Sequence, residues 1–280
     1  MEDKLLKQFV ETSLAEDVGD GDHSSLACIP ENAEGRAKLI IKQKCILAGA
    51  ELAGKIFSII DTAIKFTPFI EDGSVVEHGD IAFHVSGRVQ SILKSERLVL
   101  NIMQRMSGIA TCTRKYADML AGLKTKILDT RKTAPGLRFL EKEAVRTGGG
   151  VNHRMGLYDM IMLKDNHIDY AGGIKKAIAL TNDYLQKNNL NLKIEIEARN
   201  IDEVKTIMET GGIDRIMFDN FSLADVKHAV SLISGKYETE ASGGITLETI
   251  RSYAECGVDF ISVGALTHHV ESIDMSLKAE

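Results

Sequence analysis

Between Lys124 and Gly264 the chain alternates short apolar runs with amphipathic stretches, and this repeat restricts the fold more than any other feature. The runs are KTKILDT (124–130), YDMIMLK (158–164), LKIEIEA (192–198), DRIMFD (214–219), YETEAS (237–242) and DFISVG (259–264). Residues 173–188, 201–210, 223–234 and 246–256 lie between several of them and carry apolar residues at helical spacing. Strand-then-helix units repeated every 20–30 residues or so predict a parallel sheet. The strand ends decide whether that sheet is open or closed. Five runs finish on, or lead into, a polar group able to do chemistry: Asp129 with Arg131 and Lys132, Lys164, Glu197, Asp219, and Ser242-Gly243-Gly244. The sixth ends at Gly264. A barrel gathers all six points on one rim, whereas an open sheet spreads them along its carboxyl edge, so a parallel α/β barrel is expected.

The N-terminal part has another rhythm. Leu5, Leu6, Phe9, Val10, Ser13 and Leu14 give a helix with one apolar stripe, and the turn-rich GDGDHSS follows. Short runs at 36–42, 63–66, 81–85 and 89–93, separated by Gly and acidic residues, predict half-exposed strands of an antiparallel α+β unit. From Ser95 onward Leu98, Leu100, Ile102, Met103 and Met106 take a helical period, which places a domain boundary within about ten residues of that point.

Composition removes several function classes. No apolar segment approaches the roughly 20 residues of a membrane span, and the first residues lack a basic region followed by an apolar one, so a cytoplasmic protein is expected. Cys28, Cys45, Cys112 and Cys256 are scattered, without disulfide or zinc spacing. The net charge of −6 and the lack of Trp argue against a nucleic-acid surface built on bulk basicity, so any anion site is local.

Three local groupings carry chemistry. In a strand, Glu195 and Glu197 share one face; buried carboxylates there need cations or a metal, while an exposed edge strand would simply solvate them. Asp219 ends the next strand, and two or three carboxylate oxygens completed by substrate oxygens suit Mg²⁺. Arg131, Lys132, His153, Arg154 and Lys164, flanked by Pro135-Gly136 and the glycines of TGGG (147–150), suit a receptor for carboxylates or phosphates. An ion-pair network with Asp129, Glu141, Glu143 and Asp165 is the alternative. Ser242-Gly243-Gly244 ahead of a helix at Thr246, with Val263-Gly264-Ala265 at the next strand end, suits a phosphate cup of backbone N–H groups and a helix N-terminus. A small polyanion and a phosphorylated sugar together would use all three.

The block DTRKTAPGLRFLEKEAVRTGGGVNHRMGLYDMIMLKDNHI (129–168), with SERLVLNIMQRMSGIAT (95–111), KIEIE, FDN (218–220) and EASGGIT (240–246), closely resembles the quinolinate phosphoribosyltransferase family, the carboxylating nicotinate-nucleotide pyrophosphorylases. The similarity runs over essentially the whole chain; Ala134 stands where the family often has Thr. It implies an N-terminal α/β sandwich domain over 1–107 that contributes to a dimer interface, then an incomplete, six- to seven-stranded α/β-barrel catalytic domain over 108–280. The implied reaction joins quinolinate to 5-phosphoribosyl-1-pyrophosphate with Mg²⁺, giving nicotinate mononucleotide, pyrophosphate and CO₂ in de novo NAD biosynthesis. Arg131, Lys132, His153, Arg154 and Lys164 would line the quinolinate pocket, with Arg97 reaching it from the partner of a homodimer; further assembly of dimers is left open. Glu197 and Asp219 would hold the ribose hydroxyls and the metal, and Ser242, Gly243, Gly244 and Gly264 the 5-phosphate; Lys132, Lys164, Glu197 and Asp219 are the implied catalytic groups. A relative with another acceptor, of the kind found beside molybdate transport, should lack part of the dicarboxylate set, and a non-catalytic barrel that binds a phosphometabolite should lack a catalytic carboxylate. This chain has both.

Overall fold

The computed structural model describes residues 2–280. In chain order its elements begin α1 (Glu2–Val18), α2 (His23–Cys28), β1 (Glu34–Ile41), β2 (Cys45–Ile46), α3 (Ala50–Ile60), β3 (Lys65–Pro68), β4 (Val75–Val76), β5 (Ile81–Arg88) and α4 (Val89–Met119). They continue as β6 (Lys126–Leu128), α5 (Arg138–Thr147), β7 (Ile161–Leu163), α6 (Asp165–Ala171), α7 (Ile174–Asn188), β8 (Ile194–Ala198), α8 (Ile201–Thr210) and β9 (Arg215–Asp219). The last are α9 (Leu223–Ile233), β10 (Glu238–Ser242), α10 (Ile250–Glu255), β11 (Phe260–Ser262), α11 (Ala265–His268) and β12 (Met275–Ala279). Two compact units result, one from the chain up to Arg114 with Ala134–Gly149 and His269–Glu280, the other from Lys115–Thr133 and Gly150–His268. The junction at 107/108 lies inside α4.

In the first unit an antiparallel sheet runs in the order β12-β1-β5-β3. Along β1 the side chains alternate as the two-residue period requires, with Ala37, Leu39 and Ile41 buried. Phe57 of α3, Phe66 of β3 and Phe83 of β5 pack with ring centroids 4.7–6.2 Å apart. Each such ring, once buried, contributes about 1.5–3 kcal/mol through the apolar area it removes from water. The strand expected over 89–93 is instead the first turn of α4. Val89, Ile92 and Leu93 stand at i, i+3 and i+4, a helical spacing hidden in so short a run. Burial then recurs at Ile92, Ser95, Val99, Ile102, Met106 and Ile109, one face of a continuous helix.

The second unit holds a parallel six-stranded sheet in the order β6-β11-β10-β9-β8-β7. Each strand therefore pairs with its successor in the chain except β6 with β7, and the first strand pairs with the last. This is the ring order of a barrel with one seam left open. Val151 enters beside that seam: its N–H donates to Ile127 O at 2.9 Å, and its carbonyl accepts from Asp129 N at 3.2 Å, as a one-residue parallel bridge to β6. The incomplete barrel expected from the sequence is thus present. No helix among the described residues is long and apolar enough to cross a membrane.

At the β5-to-α4 junction, buried Asp61 accepts from Arg88 Nε at 2.8 Å, Ser91 Oγ at 2.8 Å and Ala63 N at 3.0 Å. The Arg88 contact, then those from Ser91 and Ala63, hold its carboxyl down at about 2. A carboxylate depressed in the folded state stabilises above its unfolded pKa of about 3.9, and loses that effect as pH falls through the folded value. Asp61→Asn should therefore lower the thermal midpoint at pH 7, with the gap to wild type narrowing as the pH drops from about 4 toward 2. A gap unchanged across that interval in thermal melts would refute this role for Asp61.

Candidate active site

β8 lies between β7 and β9, and all five of its residues are buried. Ile194, Ile196 and Ala198 take one face, leaving Glu195 and Glu197 on the other. The solvated-edge reading of these carboxylates is thereby excluded, and each is matched by cations. Glu197 accepts from Lys164 Nζ at 2.5 Å and from Asp165 N at 3.3 Å. Glu195 accepts from His153 Nε2 at 2.9 Å and lies 3.8 Å from Arg215 Nη1.

Glu240 and Arg215 were not singled out from the sequence. Arg215 Nη1 donates to Glu240 Oε2 at 2.9 Å, and its guanidinium carbon sits 4.1 Å from the centroid of the Phe260 ring. Burial pushes the Glu195 and Glu240 carboxyls up to about 7, with Arg215 opposing the rise at Glu195 and Glu195 adding to it at Glu240. The rule applied to Glu195 would have found Glu240: in YETEAS it too sits at i, i+2 from a rim residue, in a strand of a parallel sheet.

The cationic residues come from β6, from the segment beside the seam and from the end of β7. Lys132 is exposed, yet its backbone is fixed twice: its N–H donates to Thr130 Oγ1 at 3.1 Å and its carbonyl accepts from Thr267 Oγ1 at 2.9 Å. Buried Asp129 accepts from His153 N at 2.8 Å, which anchors the segment carrying His153 and Arg154. Arg154 is only 8 % exposed; its guanidinium donates to Met160 O at 3.1 Å and approaches Met162 Sδ at 3.7 Å, with no ion pair among the described residues. Burial, then the neighbouring Arg131 charge, pulls its pKa down. His153 differs from Arg131, Lys132, Arg154 and Lys164, for its Nδ1 accepts from Arg154 N at 2.7 Å while Nε2 faces Glu195, so its ring is turned inward.

Three carboxylates of the alternative ion-pair network have other partners. Glu141 is held by Arg105 at 2.7 and 2.9 Å, Glu143 by Arg146, and Asp165 accepts from Asn166 N at 2.6 Å. The TGGG glycines also differ in purpose from an anion loop. A Cβ on Gly148 would come within 2.5 Å of Ala110 O and 2.6 Å of Thr113 Cβ, so Gly148 lets α5 end against α4. Arg97 is exposed on α4 in the first unit, lining a groove with Phe9, Asp17, Arg105 and Glu141.

At the other strand ends, Asp219 closes β9 in register with Ser242 of β10, half-buried and without a side-chain hydrogen bond among the described residues. Ser242 Oγ accepts from Ser262 Oγ at 3.0 Å. Gly243 and Gly244 take φ of +98° and +63°, which L side chains rarely adopt. The helix expected from Thr246 begins only at Ile250 and has six residues, because Thr246 and Thr249 close a turn on each other first. The loop between Ser242 and Thr249 thus has no helix N-terminus at Thr246. Gly264 serves space rather than φ: a Cβ would lie 2.9 Å from His268 Nε2 and 3.1 Å from Lys132 Cδ. Among the described residues the one group of three or more metal-type ligands within reach of one another is His153, Glu195 and Glu240.

Two family models match the chain: quinolinate phosphoribosyl transferase, N-terminal domain, over residues 22–107, and its C-terminal domain over 109–278. The chain belongs to the quinolinate phosphoribosyltransferase family. It is 46% identical over 290 residues to the Nicotiana tabacum protein named quinolinate phosphoribosyltransferase (decarboxylating) 1b, covering 98% of this chain and 82% of that one. The Bacillus subtilis probable nicotinate-nucleotide pyrophosphorylase (carboxylating) is 41% identical over 272 residues, 97% of this chain and 92% of its own. Among solved structures, the nicotinate-nucleotide pyrophosphorylase from Francisella tularensis superposes with a TM-score of 0.92 at 40% identity, covering 99% of this chain and 97% of that one.

Gly264→Ala tests how the family's rim is packed here. The atoms that must give way to a Cβ there belong to the side chains of Lys132 and His268 rather than to a core. The variant should lose about tenfold or more in kcat/KM while its thermal midpoint shifts little. Unaltered kinetics would show that Lys132 does not depend on that gap.

Proposed function

We infer that the chain transfers the phosphoribosyl group of 5-phosphoribosyl-1-pyrophosphate to quinolinate, forming nicotinate mononucleotide, pyrophosphate and CO₂ in NAD biosynthesis. The observation that carries this reading is Arg154: a buried guanidinium without an ion pair among the described residues, its charge disfavoured further by Arg131 beside it. A buried guanidinium so placed is at a disadvantage until an anion arrives, and a substrate carboxylate relieves that charge. Lys132 and Lys164 add point charges to the same wall, and His153 supports it from behind.

Departure of pyrophosphate leaves positive charge on the sugar carbon. Carboxylates beside the ribose and cations beside the leaving oxygens therefore stabilise opposite ends of one transition state. Glu197 and Asp219 take the first role, with Lys164 holding one Glu197 oxygen in place, and Ser242, Gly243, Gly244 and Gly264 receive the 5-phosphate. Once ribosylated, the pyridine nitrogen is cationic and stabilises the electron pair left on the adjacent ring carbon as its carboxylate leaves as CO₂; a proton from water then takes the carboxylate's place. No protein nucleophile is needed, so positioning and electrostatics suffice. The open oxygens of Asp219 suit Mg²⁺, which usually takes one or two protein carboxylates and completes its shell from substrate; bound there, the ion would neutralise charge on the departing pyrophosphate. We further propose a homodimer in which Arg97 serves the partner's site, and a cytoplasmic setting.

Purified protein given quinolinate, phosphoribosyl pyrophosphate and Mg²⁺ should release CO₂, and nicotinate in place of quinolinate should be a poor acceptor; the reverse preference would overturn the substrate assignment. Arg131→Ala should cut turnover by about tenfold or more and weaken quinolinate more than phosphoribosyl pyrophosphate. Mixing inactive Arg97→Ala with inactive Lys164→Ala should restore activity through hybrid dimers that hold one intact site. No recovery despite demonstrated subunit exchange would count against Arg97 acting across the interface.

A further inference from the structure

The network of His153, Glu195, Glu240 and Arg215 lies behind the residues assigned to substrate, and the reaction as described above makes no use of Glu195, Glu240 or Arg215. Glu195 and Glu240 have no exposed surface, and one oxygen of each is buried without a hydrogen-bonding partner. A metal is one possible occupant, since three ligand atoms come within 4.8 Å of one another. Arg215 argues against it: Nη1 lies 2.9 Å from Glu240 Oε2 and 3.8 Å from Glu195 Oε2, so a cation is already seated between the carboxylates. It stays there because its Nε and Nη2 are also held, by Glu238 at 3.2 and 3.0 Å, and because β8 and β9 pair Glu195 opposite Arg215.

His153 joins this network to the substrate wall. Its Nδ1 accepts the Arg154 N–H at 2.7 Å, so that nitrogen carries no proton. Nε2 then carries the proton and donates it to Glu195 at 2.9 Å. An imidazolium would set N–H against N–H at Nδ1, and the other neutral tautomer would lose both hydrogen bonds. The acceptor chosen for Nε2 thus decides whether Nδ1 is able to hold the next residue's amide.

We propose that Glu195, anchored by Arg215 and Glu240, is a positioning residue: it locks His153 in the neutral Nε2–H form, and through the His153–Arg154 hydrogen bond it aims the Arg154 guanidinium at the quinolinate carboxylates. The proposal rests on the assignment of Arg154 to the quinolinate pocket. A role in overall stability alone would move both substrates' constants together, whereas aiming Arg154 moves one.

The test combines kinetics with ¹⁵N NMR of histidine-labelled full-length chain, in which the ring nitrogens report the tautomer directly. Glu195→Leu should raise the quinolinate KM by about tenfold, leave the phosphoribosyl pyrophosphate KM within about twofold, and take His153 out of the Nε2–H form. Glu195→Gln keeps an acceptor at the same place and should preserve both the tautomer and the quinolinate KM. If Glu195→Leu fails to fold, His153→Phe, a ring without nitrogens, should show the same selective rise. An Nε2–H signal retained in Glu195→Leu overturns the proposal. So does an unmoved quinolinate KM in that variant, or in His153→Phe, while Arg154→Ala raises it. If Arg154→Ala also leaves that KM unmoved, the pocket assignment itself falls.

Discussion

Ionised carboxylates inside a parallel sheet cost several kcal/mol each unless cations reach them, and much of the second unit can be read as the solution to that problem. Glu195 and Glu240 have no exposed surface, and Glu197 little. Arg215 comes to the first two from β9, and Lys164 to the third from the end of β7. With the anions placed, the cations they draw in take fixed positions, and Arg154 is left buried without an ion pair among the described residues. The site is thus a remainder of charge, produced by an interior in which the other charges are matched.

That remainder is divided in space. Positive groups come from β6, the segment beside the seam and β7; negative ones and the glycine loops come from β8 to β11. A reaction that separates a phosphorylated sugar from a leaving polyanion, while a second polyanion attacks, needs such a division. The barrel's strand order supplies it without any long loop, because consecutive strands deliver consecutive parts of the rim.

Much of this was legible in the sequence because both periods involved are local. The six runs between 124 and 264 each contain the strand observed, and helix α8 matches its expected limits at Ile201 and Thr210. The rim residues could be named because strand ends in a barrel converge by topology. Other features depend on what a segment meets rather than on what it is. Val89 to Leu93 is too short to tell two periods apart, and only continuity with the rest of α4 makes it helical. Gly148 and Gly264 look like loop glycines, yet each serves a neighbour's close approach, the backbone at Ala110 in one case and Lys132 in the other. Arg215 and Glu240 are unremarkable beside Asp214 and Glu238 until the register of β8, β9 and β10 sets them together.

The last strand has a consequence for how the molecule is made. β12 pairs with β1 through Ala37 to Ile41, residues that leave the ribosome more than two hundred positions earlier. Until β12 emerges β1 therefore keeps an open edge, and the barrel strands emerge before the first sheet is complete. An unpaired edge with apolar Leu39 and Ile41 on its strand is a site for mispairing between nascent chains. Completion of that sheet is a long-range closure between segments more than two hundred positions apart.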